Sequence, residues 1–121
     1  MPFDGTSPKK THRDIERLLA ARAQVAWYGG WTKRAYSTGY AVCAWQAISL
    51  CSDGDTAHLA RLVARELPWW YRLLFFGSRA QIILFNDRTS TTKQMVIDLF
   101  DRAIARRQAE ITREQLQLCL I

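Results

Sequence analysis

The chain has 121 residues, of which 49% are hydrophobic and 23% are charged; these values are ordinary for a folded domain and exclude a mostly disordered chain. A chain of this length forms one compact domain and has no room for separate catalytic and binding domains. Seventeen lysines and arginines against eleven acidic residues give a net charge of +6, which allows a polyanionic partner without requiring one.

Cysteine usage and apolar runs bear on location. The three cysteines contain no CxxC pair, so neither a disulfide framework nor a zinc site is indicated, and reduced thiols are expected. The first ten residues have no apolar stretch and do not form a signal peptide. The longest apolar run, about residues 68–77, is far shorter than the ~20 residues of a membrane span. A cytoplasmic protein without a membrane partner is expected.

The first part of the chain predicts a flexible arm, a helix and a turn. Residues 1–10 read as a flexible basic arm, and residues 11–121 as a single helical domain. Thr11 caps a first helix whose apolar stripe includes Leu18, Leu19 and Val25, and Gly29-Gly30 ends it. Residues 31–40 mix aromatic residues with Thr, Ser and Gly, which predicts a turn or short hairpin.

The middle of the chain predicts the centre of the domain. Ala41–Cys51 is small and apolar on nearly all sides, which is typical of a buried helix. We expect this helix to pack against the first helix and against the helix that begins at Thr92. A further helix runs from Asp55 or Thr56 to Leu67, where Pro68 ends it.

The last third predicts one long helix and a short strand pair. Thr91 and Gln94 form a capping box for a helix from Thr92 to about Arg107. Residues 81–85 are a short apolar run, either a strand or the end of a helix. Residues 115–120 alternate apolar and polar, which favours a strand paired with 81–85 but leaves a helical continuation open. The predicted fold class is mainly α: four or five helices with a small β-hairpin or strand pair.

Catalytic and metal chemistry have weak support in the residues. Cys43 lies at a helix start, where a thiol pKa falls, but His58 is the only downstream histidine and sits in its own helix. A small buried cysteine is the favoured interpretation, with a Cys43-dependent enzyme as an alternative. Cys51, Asp55 and His58 match no zinc spacing, and nucleotide-binding motifs are missing. No metal, no cofactor and no enzyme activity are expected.

Two sets of polar residues each allow a structural and a binding interpretation. Asn86-Asp87 precedes a helix and either holds the loop through hydrogen bonds, the favoured interpretation, or lines a pocket that includes Cys43. Two arginine faces could contact a polyanion such as nucleic acid: Arg61 with Arg65, and Arg102 with Arg106 and Arg107. Because acids such as Glu66 and Asp98 interrupt them, solvated helix faces are favoured.

Residues 69–77 (WWYRLLFFG) are the strongest physical oddity of the sequence. Five aromatic residues and one arginine form a candidate partner-binding set, since these types dominate protein interfaces: Trp69, Trp70, Tyr71, Arg72, Phe75 and Phe76. The rings could equally belong to the core. We predict that at least two of the five are substantially exposed, because Pro68 and Gly77 place the segment at the rim of the core.

Several short motifs resemble a family of small uncharacterised actinobacterial and bacteriophage proteins. They are Gly30-Trp31, Cys43-Ala44 with Ala47, the Phe-Asn-Asp run at 85–87 and the helix VIDLFDRAI. The resemblance covers about residues 13 to 104, with Gln46 where the family has glycine and Phe85 where it has tryptophan. It implies a fold rather than an activity.

Together these observations predict a non-catalytic interaction protein. The resemblance implies an accessory protein of a phage or mobile element, and the concrete hypothesis is an inhibitor of a host defence component such as a CRISPR effector. A protein partner is therefore expected, and a homo-oligomer is compatible with the sequence. The alternatives are a nucleic-acid-binding protein that uses the arginine faces and the Cys43-dependent enzyme.

Overall fold

The structure, a computed structural model, describes residues 7–27, 30–33, 42–74 and 76–120. In these ranges the regular elements are six helices, α1 (Ser7–Ala26), α2 (Ala44–Cys51), α3 (Thr56–Ala64), α4 (Trp70–Leu74), α5 (Ser78–Asp87) and α6 (Lys93–Leu120). The mainly α class is confirmed. The described ranges contain no strand, so the β part of the prediction is wrong.

Both segments of the predicted strand pair are helical. Residues 81–85 lie inside α5, where Ile82, Phe85 and Asn86 are buried at helical spacing. Residues 115–120 lie inside α6, and Leu116 and Leu118 are both exposed there. Alternation over six residues fails as a strand signal here because the described part of the chain has no sheet on which one face could be buried.

The predicted hairpin is also corrected at its described ends. Residues 34–41 lie outside the described residues. Val42 donates its N–H to the Gly30 carbonyl at 2.8 Å and accepts the Thr32 N–H at 3.1 Å, which makes an isolated parallel bridge between Trp31 and Val42. A hairpin would pair these ends antiparallel, so the described ends are not those of a hairpin; we call the described residues 30–33 and 42 the crossover.

Helix α1 packs against α6 and α2. It begins at Ser7, four residues before the predicted cap, and residues 1–6 lie outside the described residues. Leu18, Ala21 and Val25 are fully buried, whereas Leu19 is on the exposed side. Helix α1 ends at Ala26. At Gly30 a Cβ atom would lie 2.2 Å from the Gln24 carbonyl oxygen. Only glycine fits this close approach.

Helix α2 is the buried central helix that the sequence predicts, but its neighbours differ. Ala44, Ala47 and Ile48 are fully buried, and the helix packs against α1, α3 and α5. The expected contact with the helix after Thr92 is wrong as a main contact, since that helix, α6, packs chiefly on α1. The 28-residue α6 can pack along the whole of the 20-residue α1, whereas the shorter α2 offers less length for contact.

The start of α6 lies one residue later than predicted. Thr92 caps the helix by accepting the Met95 N–H on its hydroxyl at 3.2 Å. Thr91 is buried, and its hydroxyl donates to the Phe85 carbonyl at 2.6 Å. The predicted Thr91–Gln94 capping box is therefore wrong, and Thr91 instead ties the end of α5 to the start of α6. None of the described helices combines the length and apolar character needed to cross a bilayer.

Candidate functional site

The segment after Pro68 is held against the domain by two rings. Tyr71 is 1% exposed and stacks on Trp70, with ring centroids 3.9 Å apart. Tyr71 also meets Phe85 of α5 edge to face, at 6.0 Å between centroids. The Arg88 guanidinium lies 5.0 Å from the Trp70 ring centroid. Tyr71, grouped with the contact residues by the sequence, is therefore a core residue that anchors α4.

The remaining apolar side chains of this segment face solvent. Trp69 is 70% exposed, Leu73 73%, Leu74 59% and Phe76 99%; we call these four residues the α4 surface. The prediction that at least two of the five rings are exposed is confirmed by Trp69 and Phe76. Phe75 lies outside the described residues. The side chain of Arg72 is also exposed and shares this stretch.

A basic cavity adjoins α4. It has a volume of about 210 Å³, and we call it the arginine pocket; its described lining residues are Arg61, Ala64 and Arg65 of α3, Arg72 of α4, and Ser78 and Gln81 of α5. The sequence assigned Arg61 and Arg65 to one predicted site and Arg72 to another. The packing of α3 against α5 brings them together, which no sequence pattern reports.

The other predicted polyanion contacts are engaged with acids. The Arg107 side chain lies 3.0 Å from the buried Asp14 carboxylate and 3.0 Å from Glu110. Arg106 pairs with Glu66 at 3.1 Å, and Arg65 donates to both carboxylate oxygens of Glu110, at 2.8 and 3.2 Å. Arg102 is exposed on α6. The arginine faces are largely the basic half of a network that joins α1, α3 and α6.

This network changes the acidity of its members. Hydrogen bonds from Arg65, and secondarily from Arg107, lower the pKa of Glu110 from 4.5 to about 2, against the opposing effect of burial. Burial alone would lower the pKa of Arg107, but its hydrogen bonds to Glu110 and Asp14 outweigh this and raise it. Both groups therefore keep their charges across the physiological range.

His58 belongs to the same network. Its Nε2 lies 3.0 Å from Asp14 Oδ2, and the Asp14 side chain is 1% exposed. No local sequence pattern indicates this partnership, because Asp14 and His58 lie 44 residues apart in the chain. In the described part of the chain, no three His, Cys, Asp or Glu side chains are placed to hold a metal ion.

Asn86 is a buried hydrogen-bonding hub. Its side-chain oxygen accepts from the Trp31 indole N–H at 2.7 Å and from the Ala44 backbone N–H at 3.0 Å. Its amide donates to the Thr32 carbonyl at 3.1 Å and to Asp87 at 3.0 Å. All four hydrogen-bonding positions of the side chain are used, so Asn86 joins α5, α2 and the crossover.

Cys43 is the N-cap of α2. Its thiol accepts the Gln46 N–H at 3.4 Å, and Gln46 returns a bond to the Cys43 N–H through its side-chain oxygen. The Cys43 side chain is buried, as predicted. Asp87 lies elsewhere, along an open groove of about 490 Å³ on α5 lined by Arg79, Ala80, Ile83, Leu84 and Asp87. Cys43 caps α2 and Asn86 hydrogen-bonds to Asp87 and to other segments, which agrees with the favoured interpretation that the Asn86-Asp87 pair acts through hydrogen bonds.

The fold and these surfaces define a small all-α domain with an exposed apolar segment beside a basic pocket. The chain belongs to the family of unknown function DUF6197, whose family model matches residues 9–106. No curated protein and no solved structure matches the chain. The end of α6, beyond residue 106, lies outside the family match. Within the matched range, direct hydrogen bonds join Asn86 to Trp31 and to Ala44. All three residues belong to the short motifs named in the sequence analysis.

Proposed function

We propose that the protein is a non-catalytic interaction protein whose α4 surface binds a protein partner. One observation carries the proposal: four large apolar side chains are exposed within eight residues of chain. Burying such a side chain stabilises a contact by roughly 1.5–3 kcal/mol. Contiguous exposed apolar patches on monomers usually mark interfaces, and aromatic residues are enriched in interface hot spots.

The packing contacts beneath the α4 surface favour a binding role, because they hold the exposed residues in place. Tyr71 fixes the helix to α5 through its edge-to-face contact with Phe85, and Trp70 stacks on Tyr71. Arg88 donates to the Tyr71 hydroxyl at 3.4 Å. A surface held in place before binding loses less conformational entropy when it docks. Leu73 and Leu74 therefore sit on an anchored helix, and Trp69 and Phe76 lie just before and after it.

Charge favours an acidic, apolar partner over a second copy of the chain. Arg72 is exposed within the α4 surface, and the chain carries a net charge of +6. A two-fold symmetric dimer would place the same patch against itself and bring like charges together. The partner expected is a protein with an apolar contact face bordered by Asp or Glu.

The identity of that partner is a narrower proposal. A target among host defence components, such as a CRISPR effector, is supported by the resemblance to bacteriophage proteins stated above. The alternatives have less support. Three of the five arginines of the nucleic-acid hypothesis are paired with acids, and the thiol of the enzyme hypothesis is buried in a helix cap.

The test compares capture by matched surface variants. Tagged wild type, a Leu73→Ser/Phe76→Ser variant and a Leu116→Ser/Leu118→Ser control, whose leucines are exposed on α6, are incubated with host lysate. Recovered proteins are identified, and the affinity of each purified candidate is measured. The proposal expects one partner that the control retains and the α4 variant binds at least ~100-fold more weakly, since two hot-spot truncations cost several kcal/mol.

Two outcomes would contradict the proposal. One is a purified partner that binds wild type and the α4 variant equally. The other is concentration-dependent dimerisation in analytical ultracentrifugation that the α4 variant abolishes, because the occupant would then be a second copy.

A further inference from the structure

The arginine pocket contains positive charge that the protein itself does not neutralise. Arg61 has no hydrogen-bond or ion-pair partner among the described residues, and the Arg72 guanidinium makes only a long bond, 3.4 Å, to the Arg65 carbonyl. No described lining residue is acidic. Two guanidinium groups at this cavity are therefore uncompensated.

Arg65 adds an unused donor to the same wall. Both of its Nη atoms bind Glu110, so its charge is compensated. Its Nε atom is buried and has no hydrogen-bond partner; the Glu66 carboxylate oxygen is 3.7 Å away, beyond hydrogen-bonding distance. A buried N–H without an acceptor is costly, so this wall of the pocket is short of hydrogen-bond acceptors.

The first turn of α5 contributes backbone donors. Gly77 precedes the helix without a side-chain cap, and the first bond of the turn runs from the Gln81 N–H to the Gly77 carbonyl at 3.3 Å. The N–H groups of the residues between them have no acceptor within the helix, and they form its partly positive end. Ser78, which begins α5 and carries a hydroxyl group, also lines the pocket.

We propose that the arginine pocket binds a phosphate monoester dianion. A phosphate monoester carries a charge of about −1.5 to −2 at pH 7 and has three acceptor oxygens, which matches two uncompensated guanidinium groups and nearby N–H and O–H donors. A single carboxylate, or one phosphodiester of a nucleic-acid backbone, carries one negative charge and would leave part of the positive charge of the pocket uncompensated. The proposal is independent of the α4 surface, because phosphate alone can test it.

The experiment is an NMR titration of the full chain at constant ionic strength. Inorganic phosphate is the probe, and dimethyl phosphate is its singly charged diester control. The expected result is saturable shifts of the residue 78–80 amides with phosphate and weaker binding of the diester. Phosphate affinity should fall from pH 7.5 to 5.5, because the phosphate dianion takes up a proton over this range and becomes a monoanion.

Charge variants locate the site. Arg61→Gln and Arg72→Gln should each weaken phosphate binding about 10-fold, the effect of one charge-assisted hydrogen bond. Arg102→Gln removes the same charge from an exposed position on α6 and should leave the affinity unchanged. Arg65 stays intact in these variants because its loss would break the bonds to Glu110.

Two further probes identify the source of the group. A phosphoserine peptide presents it on a protein, and glucose 6-phosphate presents it on a metabolite; tighter binding of either than of inorganic phosphate supports the proposal and names the source. The proposal is overturned if the shifts do not saturate, if dimethyl phosphate binds equally well, or if Arg102→Gln weakens binding as much as Arg61→Gln. None of these results depends on the protein partner of the α4 surface.

Discussion

Asn86 and the α4 surface depart from the usual distribution of residues in opposite ways. Asn86 is a polar side chain with 1% exposure, and Phe76 is an apolar side chain with 99% exposure. Buried polar groups and exposed apolar patches are the informative deviations in a folded domain. Every hydrogen-bonding position of Asn86 is satisfied inside the chain, whereas most of the apolar surface of the four α4-surface side chains stays in contact with water.

The difference separates a structural role from a binding role. A satisfied buried amide makes the fold specific, because it pairs only when three separate segments meet in one arrangement. An exposed apolar surface is satisfied only by something outside the chain. Substitutions should therefore act on stability at the first region and on association at the second.

The largest loss of stability is expected from Asn86→Ala. The substitution leaves the Trp31 indole N–H, the Ala44 N–H and the Thr32 carbonyl without their partner, and unfolding should become easier by about 3–4 kcal/mol. Urea denaturation followed by tryptophan fluorescence measures this. Gln108→Ala, which removes an exposed amide from α6, should change stability by less than ~0.5 kcal/mol. Equal losses in the two variants would end the structural interpretation of Asn86.

The buried carboxylate of Asp14 is a charged counterpart of this hub. Asp14→Ala leaves His58 and Arg107 without a buried partner, and removing one member of such a pair costs about 2–3 kcal/mol when the remaining cation keeps another acid. Here that acid is Glu110. Asp98→Ala, at an exposed position on α6, is the matched control in the same denaturation assay. If Asp14→Ala loses no more stability than Asp98→Ala, the network does not stabilise the fold.

Cys43 tests the packing around the centre of the fold. Cys43→Leu should destabilise the protein by about 1–3 kcal/mol, because a larger side chain overpacks a filled site and cannot cap α2. Cys43→Ser keeps the size and the cap and should cost less. Cys119→Leu, at an exposed position near the end of α6, should be neutral. A neutral Cys43→Leu would mean that the site has free space.

Glu110 predicts a stability change in acid. Its pKa is about 2 in the folded protein, against 4.5 as the ordinary value, so the unfolded state binds the proton more tightly. The stabilisation is present above pH 4.5 and is lost as the pH falls towards 2. Because solvent screens these side chains, we expect only about 1 kcal/mol. Denaturation between pH 2 and 6 should show a shallower acid loss for Glu110→Gln than for wild type or Glu16→Gln, and identical slopes would contradict the assignment.

The sequence was most informative where a segment has its own periodic pattern. The apolar stripes of α1, α3 and α6 predicted helices because each stripe is contained in one segment. The run at 81–85 was ambiguous because four consecutive apolar residues fit either period, and only burial of Ile82 and Phe85 beside Asn86 settles it. The position of Thr92 as cap differs from the prediction by one residue, because adjacent threonines offer the same local signal.

The sites depend on contacts between segments and were less predictable. Exposure of Trp69 and Phe76 followed from the excess of rings over the room in one core, but nothing in the segment alone assigns Tyr71 to the inside. Arg61 and Arg72 meet only because α3 packs against α5. Asp14 lies next to His58, 44 residues away in the chain, a partnership that local patterns do not encode.

The smallest effect on stability, and the sharpest test of the comparison, is expected at Phe76. Its ring is 99% exposed, so Phe76→Ser removes no folded contact and should shift the free energy of unfolding by less than ~0.5 kcal/mol. Tyr71→Ser, five residues earlier in the chain, removes the ring that stacks on Trp70 and should cost at least about 3 kcal/mol. If Phe76→Ser destabilises the protein as strongly as Tyr71→Ser, the ring contributes to the core in solution and the α4 surface loses its most exposed member. If it leaves the fold unchanged, loss of partner binding in the same variant is a loss of contact rather than of folded protein.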